Sequence, residues 1–361
     1  MEEIRKKNGP IRLSSSDVIE GNRFICNAVF ANNEIIPIFE SLTTHGFNQL
    51  LGKVKFINRE YGTVYYRGEN KLHQSLIPSL YRGNTKVQAA TSRLCEKIKS
   101  VMNDPKLSKE LKLSTNGEDK AEAIMQHYGC RTRFVDIVDN HWVSLWMGLH
   151  RLEARKVRNT YYTYVPRVCY GLDYFSNYCT KDALSHENES YPKSGGLGND
   201  CTRQAYKLSE HLWKRINSIS ITGDNYLEND LYMFVLLVAA PVRESSHKKR
   251  NEEGIIENDE VILADLRRCL PSTFLRPHAQ HALVIKKKGG QPNKRESFDL
   301  STNVVGIICI RIDRAADWLG AGKFLTQDNL FPPPMFDHGY DVLLSRCDIF
   351  DRDEFRISRY V

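Results

Sequence analysis

Gln126–Leu149 reads "QHYGCRTRFVDIVDNHWVSLWMGL", and it holds three structural signals in one short span. A helix that begins with the acidic residues of "EDKAEAIMQHY" runs down to Gly129, a residue suited to stopping it. "RFVDIV" then has the apolar, β-branched character of a short extended stretch. Asp139 or Asn140 can cap a second helix, in which Trp142, Leu145, Trp146 and Leu149 fall on one face at i, i+3, i+4 and i+7. Helix, strand and helix follow one another here without the regular alternation of a doubly wound sheet.

Outward from that segment, helices are expected early and strands late. Ile36, Phe39 and Leu42, then Phe47, Leu50 and Leu51, have helical spacing, and residues 86–112 read as helix broken at Pro105. "TVYYRGEN" from Thr63 is a strand ended by Gly68. Further strands are expected at "YYTYVPRV" from Tyr161, "LYMFVLLV" from Leu231, "DEVILAD" from Asp259, "HALVIKK" from His281 and "VVGIICIRI" from Val304. The fold class is therefore α+β, with a mixed or antiparallel sheet and an N-terminal helical region. Residues 1–58 are expected to be an arm and helical extension, 59–347 the main domain with a polar insertion near 180–202, and 348–361 a tail. A helix is expected around Arg203 to Asn217.

Of the 361 residues, 41% are hydrophobic and 26% charged, the composition of a soluble globular chain. The longest apolar run, "LYMFVLLVAAPV", is too short to cross a bilayer, and "MEEIRKKNGPIRLSSS" lacks the apolar core of a secretory signal. The nine cysteines contain no C-x-x-C pair, which speaks against zinc and for reduced thiols. A cytoplasmic location without membrane or metal partners is the expectation. The net charge of +7 is compatible with a nucleic-acid partner. Arg151, Arg155, Lys156 and Arg158 are candidates to line a groove.

Three clusters carry candidate chemistry. Tyr66, Arg67 and Gly68 present a guanidinium fork at a strand end, beside a glycine that lets a ligand approach the backbone. His127, Tyr128, Arg131, Arg133 and Asp136 crowd the turn of the opening segment. Arg133 either reaches a phosphate or is locked by Asp136, which reads as a scaffold residue. In "FLRPHAQHALVIKK", Arg276 precedes a proline, and His278, Gln280 and Ala282 share one side of an expected strand. No P-loop, G-x-S-x-G elbow, G-x-G-x-x-G or H-E-x-x-H occurs, and the set suits gripping a phosphorylated ligand.

"YYRGEN…LIPSLYR", "QHYGCRTRFVDIVDNHWVSLWMGL" and "RPHAQHALVI", in that order, resemble the FRG domain family of bacteria and phages. The chain departs from the family pattern at Cys130-Arg131, where Leu-Pro is usual, and at Ile137-Val138, where a Trp-Thr pair is usual. The family's motifs are in turn similar in order and kind to the split-sheet ADP-ribosyltransferases that bind NAD. That resemblance implies an NAD-dependent ADP-ribosyltransferase, a toxin-like effector in phage defence or a toxin–antitoxin pair, acting on RNA or DNA or, less readily, on protein. It assigns Arg67, Gly68, Tyr66 and Arg133 to NAD, and His127, Tyr128 and Gln280 to catalysis. Asp136 and Arg276 are supporting residues, with Asp136 and Glu69 the candidate acids, since Gln280 stands where a late glutamate is expected. The alternative is a non-enzymatic nucleotide or nucleic-acid binding module, with Tyr65, Tyr66 and Tyr128 available for stacking.

Overall fold

The computed structural model describes residues 9–82, 86–156, 160–167, 231–241, 252–291, 294–346 and 349. The expected insertion near 180–202, the helix at 203–217, the tail apart from residue 349, and Arg158 lie outside them. The fold is α+β, built on a nine-stranded sheet of order β1-β2-β11-β7-β3-β4-β10-β9-β8 with a separate β5-β6 pair. Its strands are β1 Asn22–Val29, β2 Ile35–Ser41, β3 Gly62–Glu69, β4 Val135–Val138, β7 Tyr232–Pro241, β8 Ile255–Glu257, β9 Val261–Asp265, β10 Ala282–Lys287 and β11 Val304–Arg311, while β5 His150–Lys156 pairs with β6 Thr160–Pro166. Pairing is antiparallel throughout except between β11 and β2. The central strand β7 is buried at every residue, as its unbroken apolar run requires of a strand covered on both faces.

Of the expected arm and helical extension over 1–58, the described residues 9–58 are not mainly helical. β1 and β2 complete one side of the main sheet, and only Thr44–Asn58, α1, is helical there. Ile36 and Phe39 belong to β2, which is buried on both faces. A strand buried at every position after Ile35 offers apolar residues at any spacing, so the three-residue step that suggests a helix arises by chance. Thr43 caps α1 by accepting from the Gly46 amide.

Further along, α2 (Val87–Asn103) and α3 (Pro105–Glu110) divide at Pro105 as the sequence indicates, with Asp104 capping α3. Next come α4 (Glu118–His127) and α5 (His141–Leu149), the latter capped by Asn140. Short helices α6 (Leu266–Cys269), α7 (Leu275–Ala279), α8 (Ile312–Trp318), α9 (Gln327–Leu330) and α10 (His338–Leu344) follow among the described residues. One sheet face, including Tyr66 and Val138, packs on α1, α5 and α8, and the opposite face carries Tyr65 and Ile137. A third core joins α2, α3, α4 and α10 to β10.

β3 and β4 pair only at Tyr66↔Val138. Beyond that rung the two strands part, so the sheet is close to divided at its middle.

Candidate functional site

A cleft of about 250 Å³ opens where β3 and β4 separate. Arg67, one residue past the last shared rung, bridges the gap: Nη1 donates to the Asp136 carbonyl at 2.7 Å and Nε to Glu69 at 2.5 Å. Burial opposes its charge, but the nearby Glu69 and Asp136 outweigh it and hold the guanidinium firmly protonated. Gly68 lines the cleft, and a second constraint also holds that position to glycine. A Cβ there would lie 1.8 Å from the Ser144 carbonyl oxygen and 2.7 Å from the Gly148 amide. The glycine is required because α5 sits directly on β3.

The opening segment is a laced wall. Gln126 donates to Asp136 at 2.9 Å and accepts from Thr132 at 2.7 Å, which ties the end of α4 to the start of β4. Gly129 turns the chain at φ 113°. Arg133 neither reaches the cleft nor pairs with Asp136. It grips Glu122, eleven residues earlier within α4, through Nε at 3.0 Å and Nη2 at 2.6 Å, and Lys286 of β10 reaches the same fully buried carboxylate at 2.7 Å. Burial raises the carboxyl's pKa, but Lys286 and Arg133 together carry it below the usual range.

Tyr128 also points away from the cleft. It is fully buried, stands edge-on to Tyr340 at 5.1 Å and donates to Asp337 at 2.8 Å. Burial, then the Asp337 charge, raise its pKa. Tyr128→Phe is expected to cost about 1–2 kcal/mol, measured by denaturant unfolding, because Asp337 keeps its bonds from the Arg276 and Gly339 amides. A change much larger than this would show that the hydroxyl carries more than one bond.

His127 does line the cleft. It is 4% exposed, and Nε2 has no hydrogen-bond partner. Burial and then the positive Arg276 keep it neutral, against a weaker opposing hydrogen bond to the Arg276 backbone. Burial likewise lowers His141 and His150 to about 4. In the unfolded chain these rings take up protons near pH 6.5. Between about pH 6.5 and 4 the unfolded state therefore binds protons that the native state does not. Stability should be complete above pH 6.5 and fall below it, by up to about 1.4 kcal/mol per pH unit for the buried His150 and by less for the more exposed His141. Guanidinium unfolding at pH 7.5 and 5.0 checks this; equal midpoints would contradict it.

Gln280 is not on a strand. Pro277 lies within α7, Gln280 caps that helix, and His281 turns the chain at φ 50° before β10 begins, so His278, Gln280 and Ala282 do not alternate along one face. Gln280 is 3% exposed and its amide donates to the Leu330 carbonyl at 2.7 Å. It lines the cleft beside Arg276.

Tyr66, Arg67, Gly68, His127, Arg131, Asp136, Arg276 and Gln280 thus meet at one cleft, while Tyr128 and Arg133 support its wall. Missed in the sequence reading were Arg82 on the rim, Gln126, and the aromatic wall of Tyr164 and Phe331. "LIPSLYR" carried Arg82 in plain view. Phe331 had no signal, because it reaches the cleft only through the packing of α9. The tyrosines expected to stack on bases are buried: Tyr65, Tyr66 and Tyr128 are 8%, 1% and 0% exposed. Among the described residues no group of three His, Cys, Asp or Glu is arranged to hold a metal, and no helix is long and apolar enough to cross a membrane.

No curated protein and no solved structure matches the chain. One family model does, over the residues that supply β3, α4, β4, α5 and the laced wall between them. Residues 62–156, from Gly62 to Lys156, match the model of the FRG domain family.

Proposed function

We propose that the cleft binds NAD and transfers its ADP-ribosyl group to a nucleic-acid acceptor. The observation that carries this reading is the convergence of Arg67, His127, Arg276 and Gln280 on one cleft at the parting of the sheet. The group of charges suits a dinucleotide: arginines for phosphate, a neutral imidazole, and the Asp136 carboxylate, which lines the same cleft. In the reaction, the bond between ribose C1′ and the nicotinamide nitrogen breaks with its electron pair passing to the pyridinium ring. A nucleophile of the acceptor bonds to C1′, and its proton leaves to solvent. Asp136, held by Gln126 through Oδ2, is the carboxylate available to offset positive charge developing at C1′. Glu69 is occupied by Arg67 and Gln280 carries no charge. On this reading the protein is a toxin-like effector of phage defence or of a toxin–antitoxin pair, with an antitoxin as its protein partner.

Gln280 favours a second reading. Its amide is committed to the Leu330 carbonyl, and a glutamine supplies neither a base nor a countercharge. A module that binds the nucleotide without cleaving it would need neither.

Purified protein incubated with NAD radiolabelled in its adenylate phosphate, together with cell extract, separates the two. Label in an RNase- or DNase-sensitive band, with free nicotinamide, is expected for the transferase, and Asp136→Asn should reduce it at least tenfold. A protease-sensitive band moves the acceptor to protein. Absence of both label and nicotinamide leaves the binding module.

A further inference from the structure

The arginine that sequence places at the phosphates, Arg67, already spends Nε and Nη1 on Glu69 and the Asp136 carbonyl. Arg276 is in the opposite condition. Nη1 donates to the Tyr340 hydroxyl at 2.6 Å, and its backbone amide donates to Asp337 at 3.0 Å. The guanidinium lies 5.0 Å from the Phe331 ring centre and 5.9 Å from those of Tyr128 and Tyr340. Nε is buried without a partner, and among the described residues no carboxylate forms an ion pair with the group. Tyrosine and phenylalanine rings thus hold a desolvated cation with the Nε–Nη2 edge unused. That edge presents two parallel N–H groups, the arrangement that takes two oxygens of one anion.

We infer that the Nε–Nη2 edge of Arg276 is the anion-binding pole of the cleft and takes the phosphate or diphosphate of the ligand, with Arg67 serving to bridge β3 and β4. The inference rests on the proposed nucleotide-binding reading and deepens it. Phosphate is favoured over carboxylate because Arg82 and Arg131 line the same cleft, giving a field suited to more than one negative charge. Tyr340 and Asp337 act as positioning residues: they set the direction of the fork from the C-terminal helix α10, outside residues 62–156. His127 lies at the same place, neutral and with Nε2 unpaired, and serves as a hydrogen-bond acceptor for another part of the ligand rather than as a holder of its phosphate.

The test is calorimetric titration of the full chain with sodium pyrophosphate at low ionic strength, with citrate as the carboxylate arm. Wild type should bind pyrophosphate more tightly than citrate. Arg276→Gln should weaken pyrophosphate binding about 10- to 100-fold, and Arg276→Lys should not restore it, since an ammonium lacks the fork. Should Arg276→Gln fail to fold, Tyr340→Phe keeps the ring and removes the Nη1 partner, and a loss of a few-fold is expected. Unchanged affinity in Arg276→Gln or Tyr340→Phe, no pyrophosphate binding by wild type, or equal affinity for citrate would overturn the assignment. The two proposals fail separately. Arg276-dependent pyrophosphate binding without nicotinamide release removes the transferase alone. Nicotinamide release with NAD binding insensitive to Arg276 removes the pole alone.

Discussion

Glu122→Gln is expected to destabilise the protein by about 3–5 kcal/mol, one of the two largest effects of any single change considered. Glu122 is fully buried and shared by Arg133, Lys286 and the Arg133 amide, which donates to it at 2.8 Å. Lys286 is itself 5% exposed and keeps Asp119 as its other acid, at 2.6 Å. With Glu122 neutral, two cations remain close together with one carboxylate fewer to offset them, Asp119 staying on Lys286. The damage should also reach the cleft, because Arg133 anchors the turn that carries Arg131 and Gly129. Denaturant unfolding measures the loss. Adding Lys286→Met to the variant should recover part of it, since one unpaired charge is then removed. If the double variant is no more stable than Glu122→Gln, the ionic account is wrong.

Gly68→Ala is the second. The new Cβ would meet the Ser144 carbonyl oxygen at 1.8 Å, its carbon at 2.8 Å and the Gly148 amide at 2.7 Å, all of them α5 backbone that cannot rotate aside. Helix and strand must separate, at a cost of about 3 kcal/mol or more. Gly52, on α1 with nothing within 4 Å of its Cβ position, is the control: alanine there should be neutral or stabilise by up to about 1 kcal/mol. Were the glycine kept only for ligand access, Gly68→Ala would fold like wild type and lose binding alone.

The centre of the domain was legible because its signals are local. Gly129, Asn140 and the Trp142–Leu149 stripe mark where α4 stops and α5 starts, and these boundaries agree with the structure. The strands β7, β9, β10 and β11 declare themselves as short apolar runs. What failed were features fixed by distant partners. Asp136 is the nearest acid downstream of Arg133 in the chain, whereas Glu122 sits inside α4 and meets it only once β4 folds back. Tyr128 finds Asp337 across 209 residues. Gln280 was read onto a strand because its apolar neighbours begin two residues later, while the turn at His281 is a backbone conformation that composition does not announce. β1 and β2 lacked alternation because β2 is buried on both faces. Arg67, His127, Arg276 and Gln280 were found by residue type, but which arginine remains available for a ligand depended on partners that only the folded chain brings together.

The most direct test of the central claim is a crystal structure of the protein with a non-cleavable NAD analogue. The account predicts density in the cleft between β3 and β4, its diphosphate on the Nε–Nη2 edge of Arg276 and another part of the analogue beside His127. An analogue bound elsewhere on the surface, or a cleft that stays empty at saturating concentration, would contradict it.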